Sequence, residues 1–185
     1  PVAVRQQGAD LPLSGCKRSN QKLGGLILEF WQGKGATEGN DASCVLRIYH
    51  PESGTEWLLP GDITDQMEAR YLAYLADRED LQAPVTRVLV APHHGSKTSS
   101  SEAWVRALKP DQVIYTAGYR HRYGHPHPTV TARYAAIGAV SFNTACSGSI
   151  VMTIEDNRLV LKEMRHGTPF WIGGPGLARD QCKIP

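Results

Sequence analysis

Five of the chain's seven histidines fall between positions 93 and 127. His93 and His94 are adjacent inside "VAPHHGSKTSSS" (90–101), and His125 and His127 sit in "GHPHP". Imidazole is a common metal ligand and the side chain best suited to carry a proton near neutral pH. A carboxylate that could join these rings, Asp62, follows the apolar run "WLLP" in "LLPGDIT". Carboxylate with imidazole is a donor set for zinc or manganese. Successive side chains of an extended segment point opposite ways, so only one of His93 and His94 should face a given ion. The spacing of His125 and His127 puts both rings on one side of an extended segment, although the two prolines could equally serve to stiffen a loop. "SKTSSS" reads as an anion site of hydroxyls, Lys97 and a helix N-terminus, or as a polar loop and cap. "YRHRY" (119–123) places Arg120 and Arg122 between two tyrosines, a pattern suited to a nucleic-acid backbone or to a solvated loop.

These groups need strand ends to hold them. "GLILEFW" (25–31), "SCVLRIYH" (43–50) and "TEWLLPGD" read as strands, the last two forming a hairpin across the turn "PESG". "TRVLVA" (86–91) and "DQVIYTAG" (111–118) read as short buried strands. A helix is expected over 64–79, with Thr64 as N-cap and Met67, Tyr71 and Leu75 on its inner face. Ser99 and Glu102 fit a capping box opening a second helix through Leu108. A third spans 127–138, with Pro128 near its start and Gly138 at its end. "AVSF" and a hairpin turning at Asp156–Asn157 complete the regular elements. Residues 1–24 read as an edge strand with loops, and 169–185 as a Gly/Pro-rich tail. The alternation of strands and helices predicts a layered α/β or α+β domain. Asp62, the His93–His94 pair and the His125–His127 pair then all follow strand ends, which is where such folds gather ligands distant in sequence.

Composition narrows the classes. With 185 residues, 41% hydrophobic and 21% charged, the chain can bury a sizeable core in one domain. A net charge of +2 does not by itself announce a nucleic-acid partner. No run approaches the roughly 18 apolar residues of a membrane span. The chain opens "PVAVRQQG", without methionine, which suggests a piece of something longer. Cys16, Cys44, Cys146 and Cys182 are scattered with no CxxC, so they suggest neither a zinc knuckle nor a redox pair; one or two disulfides are open to them in an oxidising compartment.

Four segments, "GNDASCVLRI", "LLPGDI", "VLVAPHHGSKTSSS" and "GYRHRYGHPHPTVTARY", resemble in order and approximate spacing the C-terminal metallo-β-lactamase-like domain of the ComEC family. Members of that family are bacterial inner-membrane channel proteins for DNA uptake in natural transformation. The resemblance runs from about Gly39 to Ser149. It implies an αββα sandwich with a centre of two divalent metal ions, zinc or manganese, and a metal-dependent phosphodiesterase or nuclease activity on DNA. By the resemblance Asp62 would bridge the metals. One of His93 and His94 would be the late histidine ligand, with His94 favoured because it precedes Gly95, and His125 would be a further ligand or a phosphate contact. Asn40, Ser96 and Lys97 would line the substrate side, with Lys97 beside the chemistry. Arg120, Arg122 and His127 would meet the DNA backbone.

The resemblance also implies something missing. The fold's leading signature, H-x-H-x-D-H, does not occur in this sequence. Residues 1–168 therefore correspond to the C-terminal part of such a domain, with an incomplete metal site, one or no ion held by this chain alone, and an exposed sheet edge or face. The rest of a polytopic membrane protein would be its partner, and this part would lie on the outer side of the inner membrane, with no small organic cofactor. Two other readings stand beside the nuclease: a DNA-binding module without catalysis, and a hydrolase of small phosphodiesters.

Overall fold

A computed structural model describes residues 5–6, 9–10, 16, 19–36, 38–78, 84–118 and 122–164. Two residue pairs, β1 (Arg5–Gln6) and β2 (Ala9–Asp10), form a minimal antiparallel ladder. The main sheet has seven strands in simple chain order: β3 (Ser19–Leu23), β4 (Leu26–Trp31), β5 (Val45–His50), β6 (Thr55–Leu59), β7 (Thr86–Val90), β8 (Gln112–Tyr115) and β9 (Val140–Asn143). The β3–β4, β4–β5 and β5–β6 pairings are antiparallel, and those of β6–β7, β7–β8 and β8–β9 are parallel. The switch falls where the connections change. Tight turns join β3 to β4 and β5 to β6, a longer loop with the 3₁₀ turn Asn40–Ala42 joins β4 to β5, and helical crossovers then carry the chain back over the sheet, as parallel pairing demands.

Those crossovers are α1 (Asp65–Ala76), α2 (Glu102–Leu108) and α3 (Pro128–Ala136); a single turn, α4 (Thr144–Ser147), follows β9. Met67 and Tyr71 of α1, Trp104, Val105 and Leu108 of α2, and Val130 and Tyr134 of α3 pack in one cluster on Trp31, Val45, Leu58, Leu89, Val113 and Tyr115. The cluster uses one face of the sheet. On the other face lies a hairpin of β10 (Ile150–Glu155) and β11 (Arg158–Glu163), turning at Asp156 and Asn157, both with positive φ. The Trp57 indole donates to the Met152 sulfur at 3.3 Å, tying this hairpin to β6, and Val88 and Ile114 on that face are buried. Farther out on the same face Leu28, Phe30, Leu46 and Ile48 are half-buried. The layered α/β expectation holds, with one large sheet between helices and a two-stranded sheet.

Three details differ from the sequence reading. Ser99 does not open α2: Ser101 is the N-cap, its hydroxyl accepting from Trp104 N at 3.2 Å, while the Ser99 hydroxyl donates to Pro92 O at 2.8 Å. The loop needs Ser99 to close itself, and the capping duty passes two residues on. Thr64 occupies the N-cap position of α1 but makes no side-chain cap; its hydroxyl donates to Asp41 at 3.1 Å. Gly138, with φ +79°, stands one residue beyond the α3 cap, Ile137. The 169–185 tail lies outside the described residues.

Inside the helix-covered face lies an ion network. Arg47 is 5% exposed; its Nη1 donates to Glu29 at 2.6 Å and its Nε to Glu56 at 2.5 Å. Glu56 also binds Arg87, and Glu29 binds Arg78 at 3.1 Å. Neighbouring strands place Glu29 directly across from Arg47. Removing the central guanidinium leaves two carboxylates buried without their main partner. An Arg47→Ala variant is expected to lose about 3–5 kcal/mol of stability, read as a lower midpoint in urea. A loss below about 1 kcal/mol would refute the central role of this group.

Candidate functional site

Because β6 to β9 run parallel, their C-terminal ends share one edge of the sheet, and the polar groups that follow them meet there. The loop after β6 carries Gly61 and Asp62. The loop after β7 is a short 3₁₀ turn, Pro92–Gly95, and Thr116 follows β8 directly. Backbone bonds sew these loops together. His93 N donates to Gly61 O at 3.0 Å, Asp65 N to Thr98 O at 3.1 Å, and His127 N to Gly95 O at 2.9 Å. Asp62 N donates to the Ser43 hydroxyl at 3.0 Å, and Thr64 N to Asp41 at 2.8 Å, which brings in the loop before β5.

The two histidines adopt left-handed backbone, with φ 50° at His93 and 59° at His94. The segment is therefore not extended, and the alternation assumed for neighbouring side chains does not govern it. The rings lie 6.3 Å apart, centroid to centroid, and His125 lies 6.1 Å from His93. His94 Nε2 is 3.5 Å from Asp62 Oδ1, and its Nδ1 shares a hydrogen bond with the Thr116 hydroxyl at 3.0 Å. His93 is held at both nitrogens: Nδ1 by the Thr98 hydroxyl at 3.2 Å and Nε2 by the Asn40 amide at 3.3 Å. Asn40, Asp62, His93, His94 and His125 thus gather at one place.

His127 is used differently. Its Nδ1 accepts from Thr129 N at 3.3 Å and meets the Thr129 hydroxyl at 2.8 Å, so it caps α3. The peptide bond from His125 to Pro126 is cis, and the two rings of "GHPHP" serve different partners. Tyr123 stacks on His125 at 6.0 Å, and the Arg122 guanidinium lies 4.6 Å over the Tyr123 ring. Lys97 is exposed. Ser96 is buried, with its hydroxyl 3.1 Å from that of Thr98. Arg120 lies outside the described residues. Thr116, Ser43 and Asp41 escaped the sequence reading, and Thr98 entered it only as one hydroxyl of "SKTSSS". The signal for Thr116 was a hydroxyl directly after a strand, in "IYTAG".

The hydroxyls of "SKTSSS" go largely into the loop itself. Ser100, with φ 54°, is fully buried. Its amide donates to Glu68, its carbonyl accepts from Arg133 at 2.8 Å, and its hydroxyl accepts from Tyr134 at 3.0 Å. The other Glu68 oxygen accepts from Ser101 N at 2.9 Å. The carboxylate of α1 therefore fixes the start of α2 and the loop between the histidines and that helix.

A tetrahedral zinc with ligand bonds of about 2.0–2.1 Å holds its donors roughly 3.3–3.4 Å apart. Asp62 and His94 match two corners of such a site. Among the described residues, however, no group of three or more His, Cys, Asp and Glu side chains is arranged to hold a metal ion. The donors described here do not complete a metal site.

A cross-link sits beside this edge: Cys16 and Cys44 form a disulfide, and Cys44 directly follows Ser43. Cys146 is also disulfide-bonded.

The fold and this edge define a layered α/β domain with an imidazole–carboxylate cluster at the ends of its parallel strands. No family model matches the chain. It is similar to Competence protein ComA of Neisseria gonorrhoeae, 28% identical over 134 residues, covering 72% of this chain and 18% of that protein. It is also similar to ComE operon protein 3 of Bacillus subtilis, 34% identical over 91 residues (49% and 11%), and to Recombination protein 2 of Haemophilus influenzae, 28% identical over 142 residues (76% and 17%). The chain thus spans less than a fifth of the length of these relatives. The similarities are to parts of longer proteins, of which the first is named a competence protein and the second a ComE operon protein.

Two substitutions test the framework. A Cβ at Gly95, where φ is +80°, would sit 2.8 Å from Pro126 Cβ and from Tyr115 Cδ1. Gly95→Ala is expected to cost about 2–4 kcal/mol from backbone strain and overpacking together, measured by thermal unfolding; an unchanged melting temperature would contradict the packing described. Burial pushes the Glu68 carboxyl up from its ordinary 4.5, against the opposing pull of the Ser101 and Ser100 donors. The folded chain then binds this proton more tightly than the unfolded chain. The stability linked to it is complete below the unfolded value and is lost as pH rises through the folded one. Urea midpoints measured from pH 4 upward should therefore fall for the wild type relative to Glu68→Gln; parallel curves would rule the linkage out.

Proposed function

We propose that this chain is part of a DNA-uptake protein of natural transformation, and that its loop cluster handles the phosphodiester backbone of incoming DNA. The observation that carries this reading is the convergence of Asn40, Asp62, His93, His94 and His125 at one sheet edge, in a chain similar to competence proteins. Lys97 and Arg122 supply positive charge for phosphates, and Tyr123 offers a ring beside them.

The setting is the outer side of the bacterial inner membrane. Disulfides at Cys16–Cys44 and Cys146 fit an oxidising compartment. No helix among the described residues is long and apolar enough to cross a membrane, so the remainder of a polytopic protein would provide the anchor.

The chemistry we favour is phosphodiester hydrolysis with divalent ions, zinc or manganese, for which Asp62 and His94 are two donors awaiting further ligands. When bound, such ions supply an activated water and neutralise charge on the phosphoryl group. One observation favours a second reading, DNA binding without cleavage: no three donor side chains among the described residues are arranged to hold one ion.

A labelled oligonucleotide, single-stranded and duplex, separates these readings. Binding is expected to weaken with salt, and each lost phosphate contact in Lys97→Ala or Arg122→Ala should reduce the log–log slope by about 1. Cleavage dependent on added manganese or zinc and abolished in Asp62→Ala would support hydrolysis. Binding without cleavage would support the second reading, and neither activity would sink both.

A further inference from the structure

The arginines of this chain differ in what neutralises them. Arg47, Arg78 and Arg87 are wholly or partly buried, and each pairs with glutamate. Arg133 of α3 is also half-buried, yet among the described residues no carboxylate pairs with it. Its Nη1 donates to Ser100 O at 2.8 Å. A guanidinium carries five N–H donors, so that bond leaves most of the fork unused. A charge drawn partly out of water is unfavourable until a counter-charge meets it.

Ser100 gives this guanidinium a fixed seat. Glu68 holds its amide, and its hydroxyl accepts from Tyr134, also of α3, at 3.0 Å. Lys97, exposed, stands three residues earlier in the same loop. Glu102, the carboxylate that follows the loop, is engaged by Arg106 at 2.8 Å. On α3, Thr129 and Arg133 are four residues apart and share a face. Thr129 is exposed, and its hydroxyl meets His127 Nδ1 at 2.8 Å. The helical rise sets Arg133 about 9 Å along the axis from His127. A strand of nucleic acid with one charge per roughly 3.4 Å places two to three phosphates in that length.

We propose that Arg133 is a phosphate-binding residue, and that with Lys97 it carries a nucleic-acid backbone from the imidazole cluster over the 96–101 loop and onto α3. The inference rests on the DNA-handling reading and adds to it a contact and a direction of travel. The bond to Ser100 holds the guanidinium still, so little side-chain freedom is lost when phosphate oxygens take the remaining donors. A planar fork held in this way suits two oxygens of one phosphate.

A fluorescein-labelled oligonucleotide titrated into the chain over a range of salt tests this. Arg133→Gln removes the charge and keeps an amide N–H for the Ser100 carbonyl. Arg133→Lys keeps the charge and loses the fork. The log–log salt slope should fall by about 1 in Arg133→Gln and stay at the wild-type value in Arg133→Lys, with weaker binding in both. Adding Lys97→Ala to Arg133→Gln should take the loss to about 2. Thermal melts of the same variants separate charge from support: a residue that only props Ser100 would shift the melting temperature and leave the slope alone. If the oligonucleotide binds and the Arg133→Gln slope equals that of the wild type, or falls equally in Arg133→Lys, this assignment is overturned and the DNA-handling reading stands. A wild type that does not bind the oligonucleotide would sink both.

Discussion

The parallel pairing of β6 with β7 is the constraint on which the site depends. It matches Leu58 with Leu89 inside the core and sends both strands out of the sheet in the same direction. Asp62 and the two histidines then leave from one edge although about thirty residues separate them in sequence. An antiparallel pairing would have put them at opposite ends of the sheet. The His93 N–Gly61 O bond closes the gap between the two loops, and the helical crossover α1 makes the parallel arrangement possible.

Several buried polar groups divide the work of keeping this edge in place. At the opposite half of the sheet, Arg47 is surrounded by Glu29 and Glu56, so the antiparallel strands are locked to the start of the parallel ones. Near the site, Glu68 accepts the amides of Ser100 and Ser101. Each such group is costly to bury and more costly to leave unpaired. Their hydrogen bonds fix the loops, while the apolar cluster holds the helices.

Much of the fold was legible in the chain because its signals are local. The strand β4, the hairpin of β5 and β6, and the closing hairpin at Asp156–Asn157 follow from β-rich runs bounded by turn residues. Periodicity located α1, and Pro128 and Gly138 bracketed α3. What stayed hidden depends on contacts far apart in sequence. Ser99 looked like a cap because spacing alone cannot report that Pro92 O would claim its hydroxyl. The left-handed backbone of His93 and His94 also went unread: histidine visits that region more readily than most residues, but its presence alone does not select it. The histidines and Asp62 stood out by chemistry. Thr98 and Thr116 did not, because a threonine in a polar loop or after a strand is unremarkable until its ring partner is placed beside it.

The Cys16–Cys44 bond has a reach beyond the segment it closes. Cys44 stands between Ser43, which holds the Asp62 amide, and the first residue of β5, while Asn40, a few residues back in the same loop, holds His93. Two of the supports on which the imidazoles and the carboxylate rely thus hang from one covalent clasp. A reducing milieu would cut the clasp and leave the loop's position to hydrogen bonds alone. The shape of the rim is in that sense a record of the electron economy around it, kept for as long as the two sulfurs stay joined.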